Sequence, residues 1–88
     1  MVEHKESIHR FIYDNGEAKA FLSYSRPNPE TIRFTSTYVP HEFKGQGIGK
    51  TLVEAGIEYA DSQNLKIESS CSFVTRYLER KKHKNFNG

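Results

Sequence analysis

The sequence is poor in features that define several large classes of protein. It holds one cysteine, Cys71, and no tryptophan. One cysteine excludes an internal disulfide and a zinc site made of several cysteines. No apolar run approaches the roughly 18 residues of a membrane span, and residues 1–10 are too charged for a secretory signal. We therefore expect a protein of the reducing cytoplasm with no membrane partner.

Length and composition predict one small globular domain over residues 1–88. Hydrophobic residues make up 35% of the chain and charged residues 27%, a balance that suits a folded protein rather than a disordered one. A chain of 88 residues has no room for a second core, and its single core is modest. We expect a monomer or a weak dimer.

The net charge of +2 is unevenly spread along the chain. Residues 76–88 hold five basic residues and one acid, whereas acids outnumber bases by two in the first 75 residues. We expect residues 83–88 to fray as a solvated tail. The run from Arg80 to Lys84 also suggests a nucleic-acid-binding patch, but the predicted strands lack the exposed aromatic cluster that stacks bases.

Three strands are predicted in the first half of the chain. Ser7–Tyr13 and Ala18–Ser25 are joined by Asn15-Gly16, which favours a tight hairpin because both residues tolerate positive φ. Two prolines predict a loop over residues 26–30. Thr31–Val39 is dense in β-branched and aromatic residues and is predicted as the third strand.

Helices and a strand alternate in the second half. Apolar residues recur with helical spacing from Lys50 to Gln63 and from Ser72 to Lys82, and Leu65–Ser70 is a short predicted strand between them. The order β-β-β-α-β-α predicts an α+β fold. Three antiparallel strands come first, followed by a helix, a fourth strand and a C-terminal helix.

A glycine-rich segment joins the third strand to the first helix. Gly45, Gly47 and Gly49 alternate there, with Lys44 and Lys50 beside them. A helix N-terminus presents unpaired N–H groups and about half a positive charge, so it attracts phosphate. Glycines let the backbone approach such an anion without an intervening Cβ. The segment therefore predicts a phosphate-binding loop.

Two common phosphate-binding motifs do not fit this spacing. A P-loop ending in Gly49-Lys50-Thr51 needs a glycine five residues before Gly49, where Lys44 stands. The dinucleotide fingerprint reads Gly-x-Gly-x-x-Gly, whereas the glycines here are each separated by one residue. Neither a P-loop nucleoside triphosphatase nor a dinucleotide-binding domain is predicted.

The segment resembles the acetyl-CoA loop of the GCN5-related N-acetyltransferase family. That loop reads Arg/Gln-x-x-Gly-x-Gly/Ala, and Lys44-x-x-Gly47-x-Gly49 is similar to it, with Val39-Pro40 upstream as in many members. The order of predicted elements extends the resemblance over most of the chain. Typical members carry one or two helices between their first two strands, and this shorter chain looks like the compact single-domain acetyltransferase-like subgroup instead.

The resemblance implies a binding site for acetyl-CoA or coenzyme A. The main-chain N–H groups from Lys44 to Lys50 would hold the pyrophosphate, and the end of the third strand would pair with pantetheine like an added strand. An N–H group there would polarise the thioester carbonyl. The implied cofactor-binding residues are Tyr38, Val39, Lys44, Gly45, Gln46, Gly47, Ile48, Gly49 and Lys50.

The catalytic groups implied by the resemblance are incomplete. Many members use a glutamate as general base where this chain has Arg33, and the tyrosine that reprotonates the leaving thiolate is matched by Leu78 rather than Tyr77. The compact subgroup carries a cysteine at the position of Cys71, near a helix start that stabilises a thiolate. We expect Cys71 to be catalytic, as a nucleophile or by activating the acceptor, and an inert core cysteine is the alternative. His41 is a second candidate base.

Three functions follow from these observations. The leading one is an N-acetyltransferase that moves the acetyl group of acetyl-CoA, a small-molecule acyl donor, to an unidentified amine. The second is a coenzyme A-binding protein without turnover, which the missing glutamate and the displaced tyrosine favour. The third, a small nucleic-acid-binding module, rests only on the basic C-terminal run.

Overall fold

The computed structural model describes residues 2–83 and 86, which form one five-stranded sheet with two helices. The strands are β1 (Val2–Lys5), β2 (Arg10–Asp14), β3 (Lys19–Asn28), β4 (Thr31–Tyr38) and β5 (Lys66–Ser69), and the helices are α1 (Ile48–Ser62) and α2 (Ser72–Lys81). Strands β1 to β4 are antiparallel neighbours in chain order, and β5 pairs parallel to β4. The predicted α+β class is confirmed. Neither α1 nor α2 is long and apolar enough to cross a membrane.

The four predicted strands are present, and β1 is an additional strand that the sequence did not indicate. It pairs with β2 from Val2 opposite Tyr13 to Lys5 opposite Arg10, and alternate β1 side chains are partly buried. Its four residues, VEHK, hold one apolar side chain and two charges. Such a short polar segment carries too little hydrophobic alternation to predict a strand.

The loop predicted over residues 26–30 is shorter in the structure. Strand β3 runs through Pro27 to Asn28, and its pairing with β4 is irregular between Ser25 and Asn28. Proline lacks an N–H donor, and the interrupted ladder does not require one at that point. The guanidinium of Arg26 closes the turn by donating to two main-chain carbonyls of the residues that follow.

Helix α1 lies close against the sheet because it carries a glycine where the two touch. A Cβ on Gly56 would stand 2.8 Å from Cε1 of Phe34 and 3.0 Å from Cδ2 of Leu22, and both of those side chains are buried completely. Only a residue without a side chain fits between them at this distance. This close packing fixes the position of α1, and so of its N-terminus, relative to β4.

The C-terminal residues that the structure describes contact the rest of the domain. Nε2 of His83 lies 3.0 Å from a carboxylate oxygen of Asp61 on α1, and Phe86 forms a bridge with β5. These two residues therefore do not show the fraying predicted for residues 83–88. The rest of that predicted tail, residues 84, 85, 87 and 88, lies outside the described residues.

Candidate functional site

The candidate site opens where β4 and β5 separate. Their pairing ends at Phe34 opposite Ser69, and the N–H of Ser70 donates one further bond to the carbonyl of Phe34. Strand β4 continues to Tyr38 with no further strand on that side within residues 2–83 and 86. The end of β4 therefore offers a strand edge along which an extended ligand can pair.

A bulge in β4 decides which side chains face the site. Phe34 pairs with Tyr24 and Ser36 with Ser23, so Thr35 is an extra residue in the ladder. Beyond the bulge the alternation of faces is reversed, because side chains along a strand point to opposite faces in turn. Thr37 and Val39 consequently line the cleft described below, whereas Ser36 and Tyr38 do not.

Tyr38 was predicted to contact the cofactor, and its side chain does not line the cleft. Its ring packs against Phe21 of the neighbouring strand with a centroid distance of 5.2 Å, and just over half of the side chain is exposed. The bulge at Thr35 places that ring on the other face of the sheet. Only the main chain of Tyr38 stays available to a ligand beside β4.

The glycine loop, residues 44–50, is held by a short turn of 3-10 helix, His41–Phe43, that follows Pro40. Phe43 is buried and anchors this turn in the core. The N–H of Lys44 donates to the carbonyl of His41, and the N–H of Gln46 donates to the carbonyl of Phe43. The loop thus has its own hydrogen bonds and is shaped without any ligand.

Helix α1 begins at Ile48, two residues earlier than predicted, and its first N–H groups have no acceptor in the part of the chain that the structure describes. Gly47 is the N-cap residue, with φ of 70° and no side-chain hydrogen bond, and no acidic residue stands in the first turn. Five N–H groups of the loop donate to no acceptor among the described residues. They belong to Gly45, Gly47, Ile48, Gly49 and Lys50.

This geometry corrects the prediction that every N–H group from Lys44 to Lys50 faces a ligand. The N–H groups of Lys44 and Gln46 are donated within the chain, and the side-chain amide of Gln46 also donates to the carbonyl of Glu42. Both N–H groups donate to carbonyls of the 3-10 turn over His41–Phe43. A 3-10 turn this short has no sequence pattern from which it could be predicted. Five of the seven predicted N–H donors therefore remain available to a ligand.

The three glycines of the loop have different structural roles. Gly45 and Gly47 adopt φ of 80° and 70°, which side chains disfavour, and a Cβ on either would meet no atom within 4 Å. Gly49 is helical, and a Cβ there would stand 3.1 Å from Cζ of Phe73 and 3.5 Å from Cγ2 of Val39. Gly45 and Gly47 thus shape the open side of the loop, whereas Gly49 lets α1, α2 and β4 pack closely.

A cleft of about 560 Å³ is lined by all five residues whose N–H groups have no acceptor among the described residues. It combines apolar walls with two lysines and the glycine backbone. The residues that line it are Thr37, Val39, Phe43, Lys44, Gly45, Gly47, Ile48, Gly49, Lys50 and Phe73. Seven of the nine predicted cofactor-binding residues are therefore brought together, and Tyr38 and Gln46 are not among the lining residues.

Cys71 lies next to this cleft at the start of α2. Its Sγ is 3.5 Å from Oγ1 of Thr37, which lines the cleft. Oγ of Ser69 accepts from the N–H of Cys71 and donates to its carbonyl, and Thr75 donates in turn to the same hydroxyl. The cysteine is therefore held in one orientation from both sides of its backbone.

The surroundings of Cys71 favour its thiolate form. Burial alone would raise the pKa of the thiol, but the N–H groups of Val74, Phe73 and Thr37 and the hydroxyl of Thr37 outweigh it, so the pKa is lowered from its ordinary value. Two of those N–H groups belong to the first turn of α2, where the helix dipole adds to the effect. Cys71 can act here as a nucleophile or as an acceptor of a proton.

The other candidate side chains lie away from the cleft. His41 is exposed at the start of the 3-10 turn and does not line it. Arg33 donates from Nε and Nη2 to one carboxylate oxygen of Glu68 across β4 and β5, at 3.0 and 2.8 Å. Oη of Tyr77 donates to Glu54 at 3.1 Å, and burial and that carboxylate raise the pKa of the phenol.

Thr37, Phe43 and Phe73 are cleft residues that the sequence did not single out. Phe43 lies two residues before Gly45, so an apolar residue near the loop was the only available signal. Thr37 required knowledge of the bulge, and Phe73 comes from a helix that is distant in the chain. Their positions depend on tertiary packing.

Known proteins have similar sequences over most of the chain. The model of the GCN5-related N-acetyl-transferase family matches residues 10–86. Protein NATD1 of Xenopus tropicalis is 30% identical over 80 residues, which cover 89% of this chain and 73% of that protein. Protein NATD1 of Danio rerio is 28% identical over 87 residues, which cover 97% of this chain and 79% of that protein.

A solved structure has the same fold. It is the NMR solution structure of a GCN5-like protein from Staphylococcus aureus, with a TM-score of 0.77 and 33% sequence identity. The match covers 100% of this chain and 88% of that one. The similarity therefore extends over the whole sheet and both helices, including the glycine loop.

Proposed function

The chain belongs to the GCN5-related N-acetyltransferase family, and on that basis we propose that it binds acetyl-CoA in the cleft and transfers the acetyl group to an amine. One observation carries the proposal: five residues whose N–H groups have no acceptor among the described residues line a cleft beside Cys71.

The pyrophosphate of the donor would lie on the N–H groups of the glycine loop. A doubly charged diphosphate suits a helix N-terminus because the unpaired donors and the helix dipole both stabilise negative charge. The ammonium groups of Lys44 and Lys50 line the same cleft and add attraction. An anion held there would accept hydrogen bonds from donors that have no acceptor among the described residues.

The pantetheine arm would extend from the loop along the free edge of β4. Val39 and Thr37 line this part of the cleft, and β5 has already ended at Ser69. A strand-like arm can hydrogen-bond to the exposed main chain of β4, as a peptide does when it adds to a sheet edge. Such an arm ends next to Sγ of Cys71, with its thioester within reach.

Cys71 is proposed as the catalytic residue, and two routes fit its position. As a nucleophile, its thiolate attacks the thioester carbonyl carbon, the carbon–sulfur bond to coenzyme A breaks, and the amine then displaces Sγ to give the amide. As a base, the thiolate takes a proton from the amine, which attacks the thioester directly. In both routes coenzyme A leaves as a thiolate and takes up the proton that the amine loses, directly in the first route and by way of Sγ of Cys71 in the second.

The alternative is a coenzyme A-binding protein without turnover. Arg33 stands where a general base is common in the family and is paired with Glu68. Tyr77, the nearest tyrosine to the position of the usual acid, donates to Glu54 and lines no part of the cleft. Those two contacts favour binding alone, unless Cys71 supplies the chemistry.

Binding is tested by calorimetric titration with coenzyme A, acetyl-CoA and ATP. We expect both forms of coenzyme A to bind and ATP to bind weakly or not at all. In Gly47→Glu the added carboxylate occupies the anion position, and we expect binding to be lost. Gly16→Glu is the matched control, because Gly16 also has positive φ and open space around its Cβ but lies in the β2–β3 turn.

Turnover is tested with a panel of amines and with the intact mass of the protein. Release of free coenzyme A above the spontaneous rate supports the transferase, and micromolar binding without release supports the alternative. Incubation with acetyl-CoA alone separates the two catalytic routes. A mass gain of one acetyl group, absent in Cys71→Ala, indicates the nucleophile, and transfer without it indicates the base.

A further inference from the structure

A second cleft lies between the two helices and adjoins the first. Its volume is about 280 Å³, and Lys50 and Phe73 line both clefts. The remaining lining residues come from one face of α2. They are Arg76, Tyr77, Arg80 and Lys81. A ligand that fills the first cleft can therefore continue into the second past the same lysine and the same aromatic ring.

The second cleft is strongly basic, and most of its cations form no ion pair with the residues that the structure describes. Lys50, Arg76 and Arg80 form no ion pair with any carboxylate in the part of the chain that the structure describes. Lys81 differs, because its Nζ lies 5.9 Å above the ring of Tyr77 and it also borders a neighbouring concavity that contains Glu54. The uncompensated charge is thus concentrated on three residues.

The two arginines are spaced to act on one anion. Arg76 and Arg80 are four residues apart on α2, so they lie on the same helix face about 6 Å apart along the axis. Guanidinium groups bind phosphate through paired N–H donors and are preferred to lysine where geometry matters. No carboxylate lines this cleft to oppose an incoming anion.

We propose that this cleft binds the 3′-phosphate of coenzyme A, with Arg76 and Arg80 as the residues that recognise it. The inference rests on the proposed function, because it requires the diphosphate to occupy the glycine loop. Coenzyme A carries a phosphomonoester on its ribose, one sugar away from the diphosphate. The second cleft, next to Lys50, provides positively charged side chains for that group. Arg76 and Arg80 then set specificity for coenzyme A over its dephosphorylated precursor.

The test compares coenzyme A with 3′-dephospho-CoA by calorimetry at fixed ionic strength. We expect the wild-type protein to bind coenzyme A about tenfold more tightly, because only coenzyme A carries the group that forms charge-assisted hydrogen bonds with the arginines. Arg76→Ala/Arg80→Ala should reduce the affinity for coenzyme A to the dephospho level. Its affinity for 3′-dephospho-CoA should change by less than about threefold, the scale of a screened surface charge.

Lys5→Ala/Lys66→Ala is the matched control, because it removes the same charge from two exposed residues on β1 and β5 that do not line either cleft. It should keep the wild-type preference. Equal binding of the two ligands to the wild-type protein overturns the phosphate site and leaves the proposed function intact. A preference that survives in the double arginine variant overturns the assignment to these residues. Binding of neither ligand overturns the proposed function and this inference together.

Discussion

The two helices begin beside the same cleft, and they use their N-termini in different ways. Neither has an acidic residue in its first turn or a side chain that caps it by a hydrogen bond. At α1 the first N–H groups have no acceptor within the described residues. At α2 the N–H groups of Phe73 and Val74 lower the pKa of the Cys71 thiol.

This difference shows how the N–H groups at a helix N-terminus can serve either ligand binding or chemistry. A Ser, Thr, Asp or Asn at an N-cap stabilises a helix by about 1 kcal/mol because it satisfies an N–H group. Gly47 makes no such contact, so the donors of α1 stay free for an external anion. At α2 the anion is internal, since the thiolate of Cys71 is part of the chain. We therefore expect α1 to govern binding and α2 to govern chemistry.

The largest expected effect is a loss of affinity for coenzyme A when a negatively charged side chain is placed at the N-terminus of α1. In Gly47→Asp a carboxylate at the N-cap competes with the ligand for the free N–H groups, and we expect affinity for coenzyme A to fall by more than about a hundredfold. Gly47→Asn is the matched variant, because asparagine tolerates the left-handed backbone equally and carries no charge. A loss of about tenfold or less is expected there. Equal losses in the two variants would show that shape, rather than charge, matters at this position.

At α2 we expect a substitution to lower the rate of acetyl transfer and to leave the affinity for coenzyme A almost unchanged. Cys71→Ala should lower the rate of acetyl transfer by about a hundredfold or more, since it removes the proposed catalytic group. Affinity for coenzyme A should change by less than about threefold, because the glycine loop is untouched. Steady-state kinetics and calorimetry on the same preparation give both numbers. If transfer continues at the wild-type rate, Cys71 has no chemical role and the division between the helices fails.

A smaller effect is expected on the acidity of Cys71. The pKa of its thiol is lowered from an ordinary value of 9.0, so alkylation by iodoacetamide should reach half its maximal rate below that pH. Thr37→Val removes one donor to the thiolate and should raise the pKa and slow alkylation several-fold at neutral pH. Thr51→Val removes a hydroxyl that donates to the carbonyl of Gly47 and does not contact Cys71, so it serves as the matched control. An unchanged alkylation profile in Thr37→Val would remove Thr37 from this role.

The same lowered pKa has a consequence for stability. The folded state binds the proton of Cys71 less tightly than the unfolded state, so the thiolate contributes stability that is fully present above pH 9.0 and is lost as the pH falls through the folded pKa. Relative to Cys71→Ala, the wild-type protein should therefore gain free energy of unfolding as the pH rises toward 9.0. Urea unfolding of both proteins at several pH values measures this difference. A constant difference across that range would contradict the lowered pKa.

The smallest effect concerns Gly49, where α1 and α2 touch. Gly49→Ala places a methyl group 3.1 Å from Cζ of Phe73, which opposes the gain in helix propensity. In a Phe73→Ala background that contact is gone, so Gly49→Ala should be more favourable there by at least about 0.5 kcal/mol. Chemical unfolding of the four proteins in this double-mutant cycle gives the coupling. Additive effects would show that the two helices do not share this contact.

Local patterns predicted much of the fold. The Asn15-Gly16 turn and the alternation of Ala20, Leu22 and Tyr24 specify the hairpin without any distant contact, and those three side chains are buried in the structure. Strand β1 carries no comparable pattern, because its pairing with β2 rather than its composition makes it a strand. Elements with strong local patterns were found, and the one that depends on a neighbour was missed.

The candidate site was predicted less completely for the same reason. The glycines gave the loop and its helix directly from their spacing. The bulge at Thr35 arises from pairing between β3 and β4, and it turned Tyr38 away from the cleft and Thr37 toward it. The 3-10 turn that engages the N–H groups of Lys44 and Gln46 was equally invisible. Which main-chain donors stay free is a property of the folded loop.

The central claim is that the free N–H groups of the glycine loop hold the anionic part of the ligand. Amide resonances of the ¹⁵N-labelled protein, followed during titration with coenzyme A, test it residue by residue. We predict the largest shifts at Gly47, Ile48 and Gly49, and smaller shifts at Lys44 and Gln46, whose N–H groups already donate within the chain. Shifts centred elsewhere, or no shifts at saturating coenzyme A, would contradict the account.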